Sequence, residues 1–256
     1  MISSSAQYHQ SNQRYDYDSG LEKIKRLLDF NKLSGAKILD LGCGDGRLAS
    51  RLINSGGAAN HVVGLEIEPE AVAKAAANGI EAVVGDLEAP LMWPDASFDL
   101  VLLLDTAEHL YNIESCLSEI KRVLKPDGHL IISFPNAFDI RNRLKLLFGG
   151  SIIHWAHEKY KVNEAWSYCH VRFPRLIDAL KLMAQLGLTV EKIQYNFLGG
   201  GLISQRFTPA IVRLVLLRLW PNLMSGKFVL LVSKRAEDVV APSPQKIWIA
   251  KTPQGL

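Results

Sequence analysis

The chain has 256 residues, 48% of them hydrophobic and 21% charged, with a formal net charge of +3. That length suits one α/β domain with insertions and a sizeable buried core, and the near balance of charge excludes a general polyanion-binding role. The three cysteines, Cys43, Cys116 and Cys169, are too scattered for a disulfide framework or a metal-ligand spacing, so no metal is expected and a reducing cytoplasm fits.

In chain order, Met1 to Gln7 lack the apolar run of a secretory signal. Tyr8, Tyr15 and Tyr17 belong either to a lid over a ligand or to a frayed terminus. Ser19-x-x-Glu22 reads as a capping box for a helix through Ile24, Leu27 and Leu28 that ends near Ser34-Gly35. Ala36, Ile38, Leu39 and Leu41 make a short buried strand that runs into Gly42, Gly44 and Gly46. Helical spacing resumes at Leu48, Leu52 and Ile53. Strand, glycine turn and helix are how an α/β sheet presents backbone to a nucleoside, and glycine is needed where a side chain would block close approach.

The glycine spacing discriminates between ligands. A dinucleotide turn is Gly-x-Gly-x-x-Gly. Here the third glycine comes one residue early, and Arg47 holds the place of the last. Asp40 and Asp45 flank the turn, which disfavours a pyrophosphate and favours a cation. S-adenosylmethionine, with an ammonium and a sulfonium against one carboxylate, fits that demand. Each added carboxylate shifts such a preference by roughly a few kcal/mol at an effective dielectric of about 20. The plain alternative is a turn that merely joins a strand to a helix.

A second strand, His61 to Glu66, ends in an acid placed to accept from ribose hydroxyls. Pro69 sits at a first helical position and Asn78-Gly79 closes that helix. The third strand, Ala82 to Val84, ends in Gly85-Asp86-Leu87, where Asp86 is placed to accept from an adenine amino group. Leu100 to Leu104 form an unbroken apolar run, as a central parallel strand requires. Ile113, Leu117, Ile120 and Leu124 have helical spacing. Leu130 to Phe134 is the fifth strand. Leu176, Leu180 and Met183 mark a helix ending at Gly187, and Thr189 to Asn196 and Lys227 to Ser233 read as the last two strands.

This ordered set resembles the class I S-adenosylmethionine-dependent methyltransferases over roughly residues 36–195. The matching stretches are Asp40 to Gly46, Gly64-Leu65-Glu66, Gly85-Asp86, Ser97 to Val101, Glu108-His109-Leu110 and Leu124 to Gly128. The resemblance implies a Rossmann-like, seven-stranded, mostly parallel sheet with helices on both faces and an antiparallel strand in the edge region. It implies S-adenosyl-L-methionine as cofactor, with the methionine part at Gly42, Gly44 and Gly46, the ribose at Glu66 and the adenine at Asp86. Asp40, Ile67, Leu87 and Leu104 would complete the cofactor contacts. Residues 1–35 are expected to form an N-terminal lid and helix. Residues 36–234 form the methyltransferase domain, with insertions at 135–171 and 198–226, and residues 235–256 a tail. Ser133 to Asn136 followed by Arg141 to Leu147 is similar to the MetW-type branch. That similarity implies an alternative role: an accessory protein that keeps the cofactor site but binds an acyltransferase. The segment after Leu198 departs from that branch.

A small-molecule acceptor is expected, with methylation at oxygen favoured over nitrogen or carbon. A nicotinamide dehydrogenase is disfavoured by the acidic, early-glycine turn. A nucleic-acid partner is not expected, because no Asn-Pro-Pro-Tyr-type run follows the fourth strand and no dense basic patch is present. A hydroxyl acceptor needs its proton removed, and histidine is suited to that. His109, just past the fourth strand, serves either as base or to steady its loop. Of His154, His157 and His170, His170 is the leading base candidate. Arg172 pairs either with an acidic acceptor or within the structure. Phe138, Phe148, Trp155, Tyr160, Trp166 and Tyr168 line an acceptor pocket or pack a small subdomain. The apolar run 211–220, broken by Arg213 and Arg218, is too short to span a bilayer. It covers the pocket, packs a homodimer, or makes weak contact with a membrane surface.

Overall fold

The structure, a computed structural model, describes residues 17–29, 33–53, 60–150, 170–197 and 209–234. The expectations for Tyr8 and Tyr15, for Cys169, His154, His157, Trp155, Tyr160, Trp166 and Tyr168, and for the tail after Lys234 lie outside these residues.

Two-residue alternation along the strands feeds two cores, with a break between Phe98 and Leu100 where the register shifts. In β1 (Lys37–Leu41), Ile38 faces one side and Leu39 and Leu41 the other. In β4 (Phe98–Leu103), Leu100 and Leu102 face the side of Ile38, and Val101 and Leu103 the side of Leu39. All of these are fully buried, as strands covered on both faces must be. With β2 (His61–Glu66), β3 (Glu81–Val84), β5 (Leu124–Pro135), β6 (Leu188–Phe197) and β7 (Ser225–Lys234) they form one sheet. Its order is β3-β2-β1-β4-β5-β7-β6. Neighbours from β3 to β5 pair in parallel, while β7 runs antiparallel to both β5 and β6. The expected seven strands and the antiparallel member near the edge are therefore present.

Helices α1 (Tyr17–Leu27), α2 (Arg47–Ile53) and α3 (Pro69–Ala77) cover one face through Ile24, Leu27, Leu48, Leu52 and Ala75. Helices α4 (Ile113–Val123) and α6 (Leu176–Gln185) cover the other through Leu117, Ile120, Val123, Leu176, Leu180 and Met183. Between them lies α5 (Ile140–Leu147), capped by Asp139, which accepts from the backbone N–H groups of Arg141 and Asn142. Helices α7 (Ala210–Leu219) and α8 (Pro221–Met224) lead into β7.

Two sequence expectations are corrected. Helix α1 starts at Tyr17, so Ser19 lies inside it rather than capping it, and the helix stops at Leu27 rather than near Gly35. Asp29 and Asn31, both weak helix formers, follow that stop. Leu124 keeps helical spacing but leaves the helix, because it pairs with Phe98 at the start of a fifth strand six residues longer at its N-terminal end than expected. No residue of α7 is buried, and Ile211, Val212, Leu214, Val215, Leu219 and Trp220 are exposed. Among the described residues, no helix is long and apolar enough to cross a membrane.

Candidate active site

The carboxyl ends of β1, β2, β3 and β4 lie side by side; β1 pairs with β2 to Leu41–Leu65, β2 with β3 to Glu66–Val84, and β1 with β4 to Asp40–Leu102. The turn after β1 is held in left-handed backbone by all three glycines, at φ 74° for Gly42, 55° for Gly44 and 73° for Gly46. The three have different jobs. A Cβ on Gly42 would lie 2.5 Å from Thr106 Oγ1, and one on Gly46 2.9 Å from the Ala75 Cβ. These two glycines let the β1 and β4 loops touch and let α3 pack. A Cβ on Gly44 would meet nothing within 4 Å. Its bare backbone borders open space, which is the cradle a ligand would fill.

That contrast makes a prediction. Gly42→Ala should destabilise the fold by about 3 kcal/mol or more, from clash plus positive-φ strain. Gly44→Ala should cost only about 1 kcal/mol while removing ligand binding. Paired thermal-melt and titration measurements check both.

Glu66 is turned towards the turn. Its Oε2 accepts from Gly44 N at 3.0 Å, and its Oε1 accepts from Ile67 N at 2.8 Å and Glu68 N at 3.2 Å. Asp40 is buried at the end of β1, and burial, with the nearby Glu66 charge, pushes its carboxyl up to about 7. A buried acid held this high is ready to ionise when a cation arrives. Asp45, the second acid of the turn, is spent on Arg47, whose Nε donates to it at 2.6 Å. The acids that face the turn's ligand side are thus Asp40 and Glu66 rather than Asp45. Cys43 is buried with its sulfur against Gly64, and its thiol is pushed far up by burial and then by Asp40. It fills space and is no nucleophile.

Of the other expected contacts, Ile67 is exposed beside Glu66, whereas Leu87 is buried in the core. Leu104 is half-buried, and its carbonyl accepts from Thr106 Oγ1 at 3.0 Å. Asp86 is exposed, and its Oδ1 accepts from Glu88 N at 2.9 Å. Glu88 in turn accepts from Tyr111 N at 2.6 Å and Asn112 N at 3.0 Å, which ties the β3 loop to the β4 loop.

The β4 end carries features that spacing did not flag. Asp105 adopts φ 52°, costly for a residue with a Cβ. Ser133 Oγ donates to it at 2.9 Å and Lys227 Nζ also donates to it. Next comes the short 3₁₀ turn Ala107–His109. Glu108 is 3% exposed, and burial followed by the Asp105 charge pushes its carboxyl up to about 8. Its Oε1 lies 4.0 Å from His170 Nε2. The His109 and His170 rings meet edge to face at 4.8 Å. His170 is fixed there because the backbone N–H groups of Val171 and Arg172 donate to the Glu108 carbonyl at 2.9 and 3.1 Å. Arg172 itself donates to the carbonyls of Leu110 and Tyr111, so its role is to pin this segment.

The comparisons agree with this geometry. A family model described as a methyltransferase domain matches residues 32–192. A ubiquinone biosynthesis O-methyltransferase of Aliivibrio fischeri is 30% identical over 179 residues, covering 66% of this chain and 72% of that protein. A sterol 24-C-methyltransferase of Gibberella zeae is 37% identical over 102 residues, 37% of this chain but only 26% of that one. The fold matches a crystal structure of a Thermotoga maritima methyltransferase, described as a possible histamine N-methyltransferase. That match has a TM-score of 0.57 and 20% identity, and covers 87% of this chain and 91% of that one. A glycine cradle open at Gly44, a buried acid awaiting a cation and a carboxylate on the turn fit S-adenosyl-L-methionine. With the match running from residue 32 to residue 192, this chain is a member of the class I S-adenosylmethionine-dependent methyltransferases.

Proposed function

We propose that the protein methylates a hydroxyl group of a small molecule. The observation that carries this reading is the buried Glu108 with His170 Nε2 at 4.0 Å, placed just past the end of β4. Thr106, two residues before Glu108, packs against Gly42 of the glycine turn, which supports a cluster on the cofactor side of the sheet. The 30% identity to an enzyme named as an O-methyltransferase supports the choice of oxygen.

When bound, S-adenosylmethionine supplies a methyl group on a cationic sulfur. The chain's own residues do the rest. Gly44 leaves room for the methionine part, and Asp40 in its carboxylate form balances the ligand's positive charge. Glu66 accepts from the ribose hydroxyls, with Ile67 beside it, and Asp86 and Leu87 border the adenine. Leu104 marks the floor below the acceptor. Holding donor and acceptor in attack geometry accounts for up to roughly 7–11 kcal/mol of the barrier. The hydroxyl's proton leaves on the side of the Glu108–His109–His170 cluster, where His170 is the residue best placed to orient the hydroxyl.

The test uses S-adenosylmethionine labelled in its methyl group and a panel of acceptors: catechols, phenols, amines and carboxylic acids. Label is expected in a hydroxylated acceptor, and turnover is expected to fall about 100-fold or more in His170→Ala. Label confined to amines or carbon atoms would overturn the choice of oxygen.

A further inference from the structure

We propose that Glu108, His109 and His170 form a binding site for a divalent metal ion beside the methyl-transfer pocket. The inference rests on the methyltransferase reading for its purpose, but the site stands on its own geometry. Each of the three side chains offers one ligand atom, and those atoms all lie within 4.8 Å of one another. Metal–ligand bonds of about 2.1 Å place neighbouring ligand atoms roughly 3–4 Å apart, so small side-chain rotations close the set around an ion. The groups come from two separate stretches of chain, and two backbone hydrogen bonds onto the Glu108 carbonyl clamp those stretches together.

A second observation points to a ligand. Glu108 is 3% exposed, and among the described residues its Oε2 has no hydrogen-bond partner. A buried carboxyl oxygen left unmatched is costly, and a cation is a partner that removes the cost. Around the cluster, Asp105 adds a carboxylate that is already tied to Ser133 and Lys227. Two imidazoles and one carboxylate are the donor set of open, partly ligated zinc, manganese, iron or cobalt sites, which keep positions free for substrate.

The ion gives the acceptor hydroxyl a Lewis acid. A hydroxyl coordinated to it loses its proton to solvent near neutral pH. The oxygen's electron pair then forms the new O–CH₃ bond as the C–S bond breaks, and that bond's pair stays on sulfur, leaving a neutral thioether. In this arrangement His170 orients the hydroxyl by holding the ion.

The full chain, stripped with a chelator and desalted, is titrated with Mn²⁺ and followed by the loss of the free-ion electron paramagnetic resonance signal. Calorimetry with Zn²⁺ runs in parallel. One equivalent is expected to bind, and His170→Ala and Glu108→Gln are each expected to weaken Mn²⁺ binding at least tenfold. Retained thermal protection by S-adenosylhomocysteine shows that each variant is folded, and His170→Ala carries the test if Glu108→Gln is not. The wild type should lose label transfer on chelation and regain it with Mn²⁺. Absence of Mn²⁺ and Zn²⁺ binding to wild type at up to millimolar ion would overturn the site, as would binding that both variants leave unchanged. Metal is measured without cofactor or acceptor, so bound ion with no methyl transfer would count against the methyltransferase reading and not against the site.

Discussion

Glu66→Ala removes binding of S-adenosylhomocysteine, with a loss of at least about 100-fold, or about 2.7 kcal/mol. The carboxylate is 4% exposed and accepts from three backbone N–H groups, one of them Gly44 N in the middle of the turn. It therefore does two things. It holds the turn in its open shape, and it offers its oxygens where ribose hydroxyls arrive. Removing it leaves three N–H groups without their acceptor, which costs stability as well, on the order of 1–3 kcal/mol. Glu66→Gln separates the two effects in part. The amide oxygen keeps only one side of this acceptor set, and its NH2 then faces a backbone N–H on the other, so the melting temperature should fall, though by less than in Glu66→Ala. Affinity should still fall about tenfold, because a charge-assisted bond to the diol becomes a neutral one. Calorimetric titration of both variants, with thermal melts alongside, checks this.

Asp40→Asn has opposite effects on stability and on binding. The ordinary aspartate pKa of 3.8 is pushed up to about 7 in the fold, chiefly by burial. Between those two values the unfolded chain has released the proton and the folded chain has kept it. Stability therefore falls as pH rises through this window, and the penalty is complete above about pH 7. Asparagine cannot ionise and escapes the penalty. The variant should be more stable than wild type at pH 8, by about 1–2 kcal/mol, or a few degrees in melting temperature. Below about pH 4 the two proteins should melt alike. Binding goes the other way. The cationic ligand draws the proton off Asp40, so wild-type affinity should rise with pH between about 6 and 8, and the variant should lack that component. The ligand's own ionisation is common to both proteins, so the difference between their pH profiles isolates Asp40. A variant that binds as tightly as wild type at pH 8 would remove Asp40 from the site.

The cofactor half of the site was legible in the sequence because backbone geometry there restricts residue type. Three left-handed positions at Gly42, Gly44 and Gly46 require glycine, and the strand preceding them must be apolar. Apolar runs alternating with amphipathic helices mark a largely parallel sheet, but they do not fix the order of its strands. Boundaries were less legible where one residue satisfies two patterns. Leu124 fits the helical spacing of Ile113, Leu117 and Ile120, yet it pairs with Phe98 in the sheet, and Lys125 to Gly128 continue the strand from it. The cluster past β4 was only partly legible. His109 and His170 stood out as titratable groups, but nothing in their spacing shows that chain folding brings them to one buried glutamate. Asp105 was missed because a non-glycine residue at φ 52° carries no mark in sequence; what holds it there, Ser133 and Lys227, comes from β5 and β7. The adenine contact expected at Asp86 is the least constrained of the set, since its carboxylate is engaged locally with Glu88 N.

The central claim is that the turn at residues 42–46, with Asp40 below it and Glu66 beside it, binds a cationic nucleoside. Calorimetric titration of the purified chain with S-adenosylhomocysteine and S-adenosylmethionine at pH 7.5 tests it most directly. The account predicts one equivalent bound at micromolar affinity, lost in Gly44→Val. No heat and no thermal protection from either compound at millimolar concentration, with the chain folded, would contradict it.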